Sequence, residues 1–174
     1  MDFRNVDPAN VKWQRGGRQG NVLASVQNGK VLVQTPKCPC SVDVHSAGVF
    51  RIDMKLGMLN PLHERFATWV GDVERHASGP WKTDLGLSST VYGSNFRIMA
   101  FSDTMTFDER GELSADIISA KSCSALLELT GAWTSNGKWG LRWRVVQVKF
   151  STEGHEECSF VDDDDDDGFV DVDD

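Results

Sequence analysis

The sequence contains little that would support a metal centre, a disulfide framework or a membrane anchor. Only four cysteines occur in 174 residues, and the one close pair, Cys38 and Cys40, has C-x-C spacing. Structural zinc sites usually need C-x-x-C or paired Cys/His spacing, so we predict no metal and free, reduced thiols. No apolar run approaches the ~18–20 residues that cross a bilayer, and residues 1–20 lack a signal-peptide core. We therefore expect a protein of the cytoplasm or nucleus.

The usual catalytic motifs are also missing. There is no phosphate-binding GxxxxGK[ST] loop, no GxSxG nucleophile elbow, no HExxH and no GxGxxG after a strand. We therefore expect no enzymatic activity and no cofactor. The acids Asp103, Asp108, Glu109, Glu112 and Asp116 miss the EF-hand spacing and are interpreted as a solvated loop. A metal-assisted nuclease at these acids is a third, weaker hypothesis.

The charges are divided unevenly along the chain. Residues 151–174 hold 12 of the 26 acidic residues and no Lys or Arg, so this tail carries −12. Residues 1–150 hold the other 14 acids and all 18 bases, a charge of +4. From Pro8 to Val42 there are five bases and no acid. A basic body beside an acidic tail indicates a protein that binds polyanions and is regulated electrostatically.

The tail cannot fold alone, because consecutive aspartates repel one another and bury no apolar surface. A purely solubilising tail would need no aromatic residue, yet Phe169 follows the aspartates. We therefore predict that the tail binds a partner or docks on the basic body. The predicted tail residues are Asp162, Asp163, Asp164, Asp165, Asp166, Asp167 and Phe169.

Tight turns and alternating strands predict a mainly β domain. The Asn-Gly pairs at 28–29 and 136–137 each separate two β-rich segments, the pattern of type I′ hairpins. Residues 47–56 alternate as a half-buried strand, and Asn60-Pro61 opens an amphipathic helix. These elements favour an OB-type five-stranded antiparallel Greek-key barrel with one inserted helix. We expect an irregular basic segment at 1–20, the barrel at 21–150 and a disordered acidic tail at 151–174.

Basic and aromatic residues are interleaved as single-stranded nucleic acid requires. A positive groove follows the phosphates, while aromatic rings stack on unpaired bases of any sequence. Alternation in the last strand places Arg142 and Arg144 on the face opposite Trp139 and Trp143, with no acid in that strand to pair them. The candidate DNA-binding residues are Trp13, Arg15, Arg18, Lys30, Lys37, Trp139, Arg142 and Arg144.

The small β-domain followed by an acidic tail with an embedded Phe resembles the phage-type single-stranded-DNA-binding proteins. Segments 31–36, 50–55 and 140–150 are similar to the branch of that family found in large DNA viruses of eukaryotes. The resemblance implies an OB-fold that binds single-stranded DNA without sequence preference during viral replication and recombination, in an infected host cell. It also implies that Asp162 to Asp167 and Phe169 compete with DNA and recruit polymerase and primase-helicase. In the phage members the aromatic residue is terminal, whereas five residues follow Phe169 here.

A second class of function fits the same composition. A virion structural component, or an acidic-tail chaperone of basic proteins, would use the tail itself as the working surface. Binding of single-stranded oligonucleotide or of basic protein by the body without its tail separates the two hypotheses. Oligomeric state is not determined by the sequence, and a homodimer is left open.

Overall fold

Strands make up about half of the residues that the structure describes, and one helix packs beside them. The computed structural model describes residues 2–15, 22–26, 30–57, 59–78 and 85–153. The strands in these ranges are β1 (Trp13–Arg15), β2 (Val22–Val26), β3 (Val31–Gln34), β4 (Cys38–Ser46), β5 (Val49–Lys55), β6 (Gly86–Leu87), β7 (Val91–Tyr92), β8 (Asn95–Phe101), β9 (Met105–Phe107), β10 (Ser122–Ser135) and β11 (Lys138–Ser151). The helix is α1 (Pro61–Ser78), and 3-10 turns cover Phe3–Asn5, Pro8–Asn10 and Ile117–Ser119.

The long β10–β11 hairpin is the centre of the fold. Ser135 pairs with Lys138, which leaves a two-residue turn at Asn136 and Gly137. Both residues have positive φ, 50° and 72°, as a type I′ turn requires. The hairpin predicted at this Asn-Gly pair is confirmed.

The hairpin predicted at residues 28–29 places its turn outside the described residues, and the strand pairing that it predicts is wrong. β2 and β3 do not pair with each other; each pairs antiparallel with β10, at Gly131–Trp133 and Leu126–Leu129 respectively. β2 and β3 therefore run in the same direction, each antiparallel to β10. β10 is 14 residues long and offers a partner to both segments, so both strands pair with it rather than with each other.

β4 connects the β10 strand to a second group of strands. Its first residues, Cys38 and Pro39, pair with β10, and Cys40–Ser46 pairs with β5. β5 then pairs with β8, and β8 with β7. Pro39 has no N–H to donate, but the next amide, that of Cys40, donates to the Lys121 carbonyl at 2.8 Å.

Helix α1 covers the core that the strands leave open. Asn60 caps it, because its side-chain oxygen accepts from the Leu62 amide at 2.9 Å, and Pro61 is its first residue. Phe66 is fully buried and meets the ring of Phe96 edge-on at 5.1 Å. The first residues add to this core: Phe3 is buried, and its ring centroid lies 5.2 Å from that of Phe66. None of the helices in the described ranges has the length and apolar character needed to span a bilayer.

The sheet is open along one edge of β11. On that edge β11 pairs with β6 at Lys138–Trp139 and with β9 at Gln147–Lys149. In the described part of the chain, no strand pairs with residues 140–146 there. The fold is thus mainly β with one helix, as predicted, but it has more strands than a five-stranded barrel and does not close. The short strands β6 and β9 leave the gap because each pairs over only two or three residues.

Candidate nucleic-acid interface

An open groove of about 1100 Å³ lies along the edge of β11 that faces away from β10, where no strand in the described part of the chain pairs with residues 140–146. One wall is β11 with neighbouring residues of β10, and the other is β8 with the segment that leads into β7. Its lining residues are Ser88, Ser89, Thr90, Tyr92, Arg97, Ile98, Met99, Phe101, Asp103, Thr130, Trp133, Leu141, Arg142, Trp143, Arg144 and Val145. The groove therefore combines three arginines with four aromatic side chains.

The aromatic side chains of the groove differ in exposure. Phe101 and Tyr92 are 49% and 41% exposed, so each has ring surface available to a ligand. Trp133 and Trp143 are half-buried. Exposed rings on one side and partly buried indoles on the other are suited to stacking against flat, unpaired bases.

Trp143 is held in place from two directions. Its Nε1 donates a hydrogen bond to Thr90 Oγ1 at 3.1 Å, which ties β11 to the opposite wall of the groove. Its ring centroid lies 6.2 Å from that of Trp69 in α1. Trp143 is therefore a fixed part of the β11 wall of the groove.

A buried carboxylate holds the segment that carries Thr90. Glu74 of α1 accepts from Ser89 Oγ at 2.9 Å and from the Thr90 amide at 3.0 Å. Burial raises the pKa of Glu74 above its ordinary value, and these two hydrogen bonds oppose that rise. Helix α1 thus positions the groove wall through one polar side chain.

Arg97 belongs to a network with Tyr92 and Asp53. Its Nε and Nη2 donate to the two carboxylate oxygens of Asp53, at 2.6 and 3.2 Å. The Tyr92 hydroxyl donates to Asp53 as well, at 3.0 Å, and the Arg97 guanidinium lies 4.9 Å from the Tyr92 ring centroid. The hydrogen bond from Arg97 is the main reason that the pKa of Asp53 is lowered. The Arg97 charge is therefore partly neutralised, and the Tyr92 ring has a fixed orientation.

The two arginines predicted on β11 have different surroundings. Arg142 is exposed and has no carboxylate within ion-pair distance among the described residues. Arg144 was expected to have no ion-pair partner, and this expectation is wrong. Its guanidinium lies 3.5 Å from the Glu128 carboxylate and 4.0 Å from that of Asp103. Because Glu128 is on β10 and Asp103 follows β8, neither acid was visible as a partner from the β11 sequence.

The other predicted DNA-binding residues lie elsewhere. Trp139 is only 3% exposed, so its assignment as a base-stacking residue is wrong: it is a core side chain. Trp13 is half-buried and packs against the core rather than lining the groove. Lys30 and Lys37 are exposed outside the groove, and Lys37 lines a second, smaller cleft.

Several predicted residues are beyond what the structure describes. Arg15 lies in β1, but only its backbone is described. Arg18 and the tail residues, Asp162 to Asp167 and Phe169, lie outside the described residues. Their predicted roles stay predictions.

The sequence interpretation missed Tyr92, Arg97, Phe101 and Trp133. A usable pattern was present in β8, where Phe96, Ile98 and Ala100 are buried while Arg97 and Phe101 alternate with them and are exposed. An exposed Phe on the same face as an exposed Arg offers a stacking ring beside a cation, as single-stranded nucleic acid requires. That these residues face β11 follows only from the three-dimensional arrangement.

The acidic loop and the cysteines do not form a metal site in the described part of the chain. No group of three or more His, Cys, Asp or Glu side chains is placed there to hold an ion. Asp108 instead accepts from the amides of Arg110 and Glu112, both at 2.9 Å, and so shapes its own loop. Burial raises the pKa of Cys38 to about 12, which keeps this thiol protonated.

No protein-family model matches the chain, and no curated protein sequence does either. The solved structures that are similar in fold include two from bacteriophages. One is gp2.5, a single-stranded DNA-binding protein encoded by bacteriophage T7, with a TM-score of 0.53 and 13% identity over 83% of this chain and 100% of that chain. The other is the C-terminally truncated single-stranded DNA-binding protein of bacteriophage Enc34, with a TM-score of 0.52 and 10% identity over 82% and 96%. The chain therefore shares its fold with these two phage single-stranded DNA-binding proteins.

Proposed function

We propose that this chain binds single-stranded DNA without sequence preference in viral-type replication and recombination, and that it has no catalytic role. One observation carries the proposal: the open edge of β11 forms a groove in which three arginines accompany four aromatic rings. Arginines bind phosphates of any sequence, and stacking on a ring tolerates any base. The shared fold of the two phage proteins supports the same conclusion.

Within the groove, different residues bind the phosphates and the bases. Arg142 is the phosphate anchor, because its guanidinium has no carboxylate to displace among the described residues. Phe101 and Tyr92 offer the more exposed rings for stacking. The Thr90–Trp143 hydrogen bond fixes the position of one groove wall relative to the other. The groove therefore needs little rearrangement when a DNA strand binds.

The proposal includes the acidic tail. A segment with a charge of −12 competes with DNA for a cationic groove, and Asp162 to Asp167 with Phe169 recruit replication proteins such as polymerase and primase-helicase. These tail functions, and membership of the branch in large eukaryotic DNA viruses, rest on the sequence resemblance. The charge division between body and tail supports the competition electrostatically.

Fluorescence titration with poly-dT tests the proposal. Trp133 and Trp143 line the groove, so we expect bound bases to quench indole emission. The full chain is compared with a chain that ends after Glu153, which leaves all of β11 intact. The shortened chain should bind more tightly at low salt, and the difference should shrink as salt screens the tail.

Two results would contradict the proposal in distinguishable ways. If neither chain shows quenching or a gel shift with single-stranded DNA, DNA binding is overturned. If both bind with equal affinity at low salt, DNA binding stands and tail competition is overturned. Binding of basic proteins but not DNA would support the chaperone hypothesis.

A further inference from the structure

We propose that the bound strand extends beyond the groove, along the outer face of β11, to a second phosphate-binding cleft at Lys37 and Lys149. This inference rests on the proposed function and names the extent of the same site. The cleft has a volume of about 480 Å³ and lies at the opposite end of β11 from the hairpin turn.

Alternation along β11 makes the path continuous. Val145 and Val148 are buried on the core side, while Arg144 and Lys149 are exposed on the other side. The β10–β11 pairing skips one residue of β11 between 145 and 147. Because of this bulge, Lys149 lies on the same outer side of the strand as Arg144, although the two are an odd number of positions apart. From Arg142 to Lys149 the strand covers seven residues, about 23 Å at ~3.3 Å per residue.

The cleft presents two lysines that form no ion pair in the described part of the chain. These two, Lys37 and Lys149, are both exposed. Ser124, which pairs with Lys149 across the β10–β11 ladder, adds a hydroxyl to the lining. Glu109 and Glu153 also line the cleft, so the lysines attract phosphate against two nearby acids.

The segment that carries Lys37 is fixed from both sides. His63 Nδ1 accepts from the Gly57 amide at 2.9 Å, so its Nε2 donates to the Lys37 carbonyl at 3.0 Å. Two residues earlier, Thr35 exchanges hydrogen bonds with Ala125 of β10: the Thr35 amide donates to the Ala125 carbonyl, and Thr35 Oγ1 accepts from the Ala125 amide, both at 2.9 Å. The Lys37 backbone is therefore preorganised beside Lys149, which reduces the entropy lost on binding.

Oligo-dT of two lengths tests the extended path with the full chain. Oligonucleotides of about 5 and about 15 nucleotides lie at the two ends of the range that one OB-type domain binds. Lys37→Ala with Lys149→Ala should weaken binding of the longer one about 10-fold at low salt and leave the shorter one within about twofold. Its log-affinity against log-salt slope should fall by about 1.4, since each phosphate contact on a single strand contributes about 0.7. Glu109→Gln with Glu153→Gln should instead tighten binding of the longer oligonucleotide.

The matched control is Arg65→Ala with Arg75→Ala, which removes the same charge from exposed positions of α1, away from both clefts. If the control weakens binding of the longer oligonucleotide as much as the lysine variant does, the loss of affinity comes from the change in net charge. The proposal that the second cleft binds phosphate is then overturned. Unchanged affinity and slope in both lysine and glutamate variants also overturn it, while binding by the unaltered chain preserves the proposed function. If the unaltered chain binds neither oligonucleotide, the proposed function fails and the extended path fails with it.

Discussion

The indole N–H of Trp143 donates to Thr90 Oγ1 at 3.1 Å and so joins the two walls of the groove. Trp143 is on β11 and Thr90 precedes β7, 53 residues earlier in the chain. The Thr90 amide in turn donates to Glu74 of α1, so hydrogen bonds connect α1 through Thr90 to Trp143.

A double-mutant cycle measures this contact. Thr90→Val keeps the side-chain shape but removes the acceptor, and Trp143→Phe removes the donor. Each should lower the free energy of unfolding, and the pair should show a coupling of about 1 kcal/mol, the usual net value of one hydrogen bond. Urea unfolding of the four chains checks it. Additive effects would show that the hydrogen bond does not form in solution.

Arg142 should contribute more to DNA binding than Arg144 does. Arg142→Ala removes a cation with no carboxylate partner in the described part of the chain, whereas Arg144 already contacts Glu128 and Asp103. We expect about a 10-fold loss of affinity for Arg142→Ala, a salt slope smaller by about 0.7, and a weaker effect for Arg144→Ala. Arg65→Ala on α1 is the control. An equal loss in both groove variants would contradict the assignment of Arg142 as the anchor.

Asp103→Asn should tighten DNA binding. The Asp103 carboxylate lies 4.0 Å from Arg144 and is 72% exposed, so it competes with phosphate for that guanidinium. Exposed ion pairs contribute little to folding, so the melting temperature should stay within a degree or two. Titration at low and high salt checks the prediction, and the gain should disappear at high salt. Weaker binding would mean that Asp103 contacts the strand favourably.

Phe101→Ala should weaken DNA binding without unfolding the protein. About half of the Phe101 side chain is exposed, so its removal leaves no buried cavity. Loss of one stacked base would cost about 1–3 kcal/mol, a 5- to 150-fold loss of affinity. Leu113→Ala, at an exposed apolar position outside the groove, is the control. Equal affinities of the Phe101 and Leu113 variants would show that Phe101 does not stack.

Stability should depend on pH through Glu74. Burial raises the pKa of this carboxyl above its ordinary 4.5, so the folded chain binds the proton more tightly than the unfolded chain does. The free energy of unfolding therefore falls as pH rises from about 4.5 through the folded pKa. Glu74→Gln cannot ionise there, so its stability relative to the unaltered chain should rise over the same interval. Melting temperatures from pH 4 to 8 check this, and a constant difference would contradict the raised pKa.

Local chemistry determined the elements that the sequence predicted correctly. Asn136-Gly137 forms its turn because both residues tolerate positive φ, and Asn60-Pro61 starts α1 through a side-chain cap and a fixed φ. Strict alternation also placed Arg142 and Arg144 on the outer face of the last strand. Each of these depends on residues a few positions apart.

Which strands pair with each other, when they are far apart in the chain, was decided only by the tertiary structure. β2 and β3 both pair with β10 because that strand is long enough for two partners, which no local turn pattern reveals. Trp139 is a core side chain because it belongs, with Leu141 and Val145, to the buried side of β11. The groove itself lies where β6 and β9 end, so that in the described part of the chain one edge of the middle of β11 has no strand beside it; Tyr92 and Phe101 also line the groove. Such an edge depends on which strands meet across the sheet, and these contacts form between residues too far apart in the chain for turn or alternation patterns to specify.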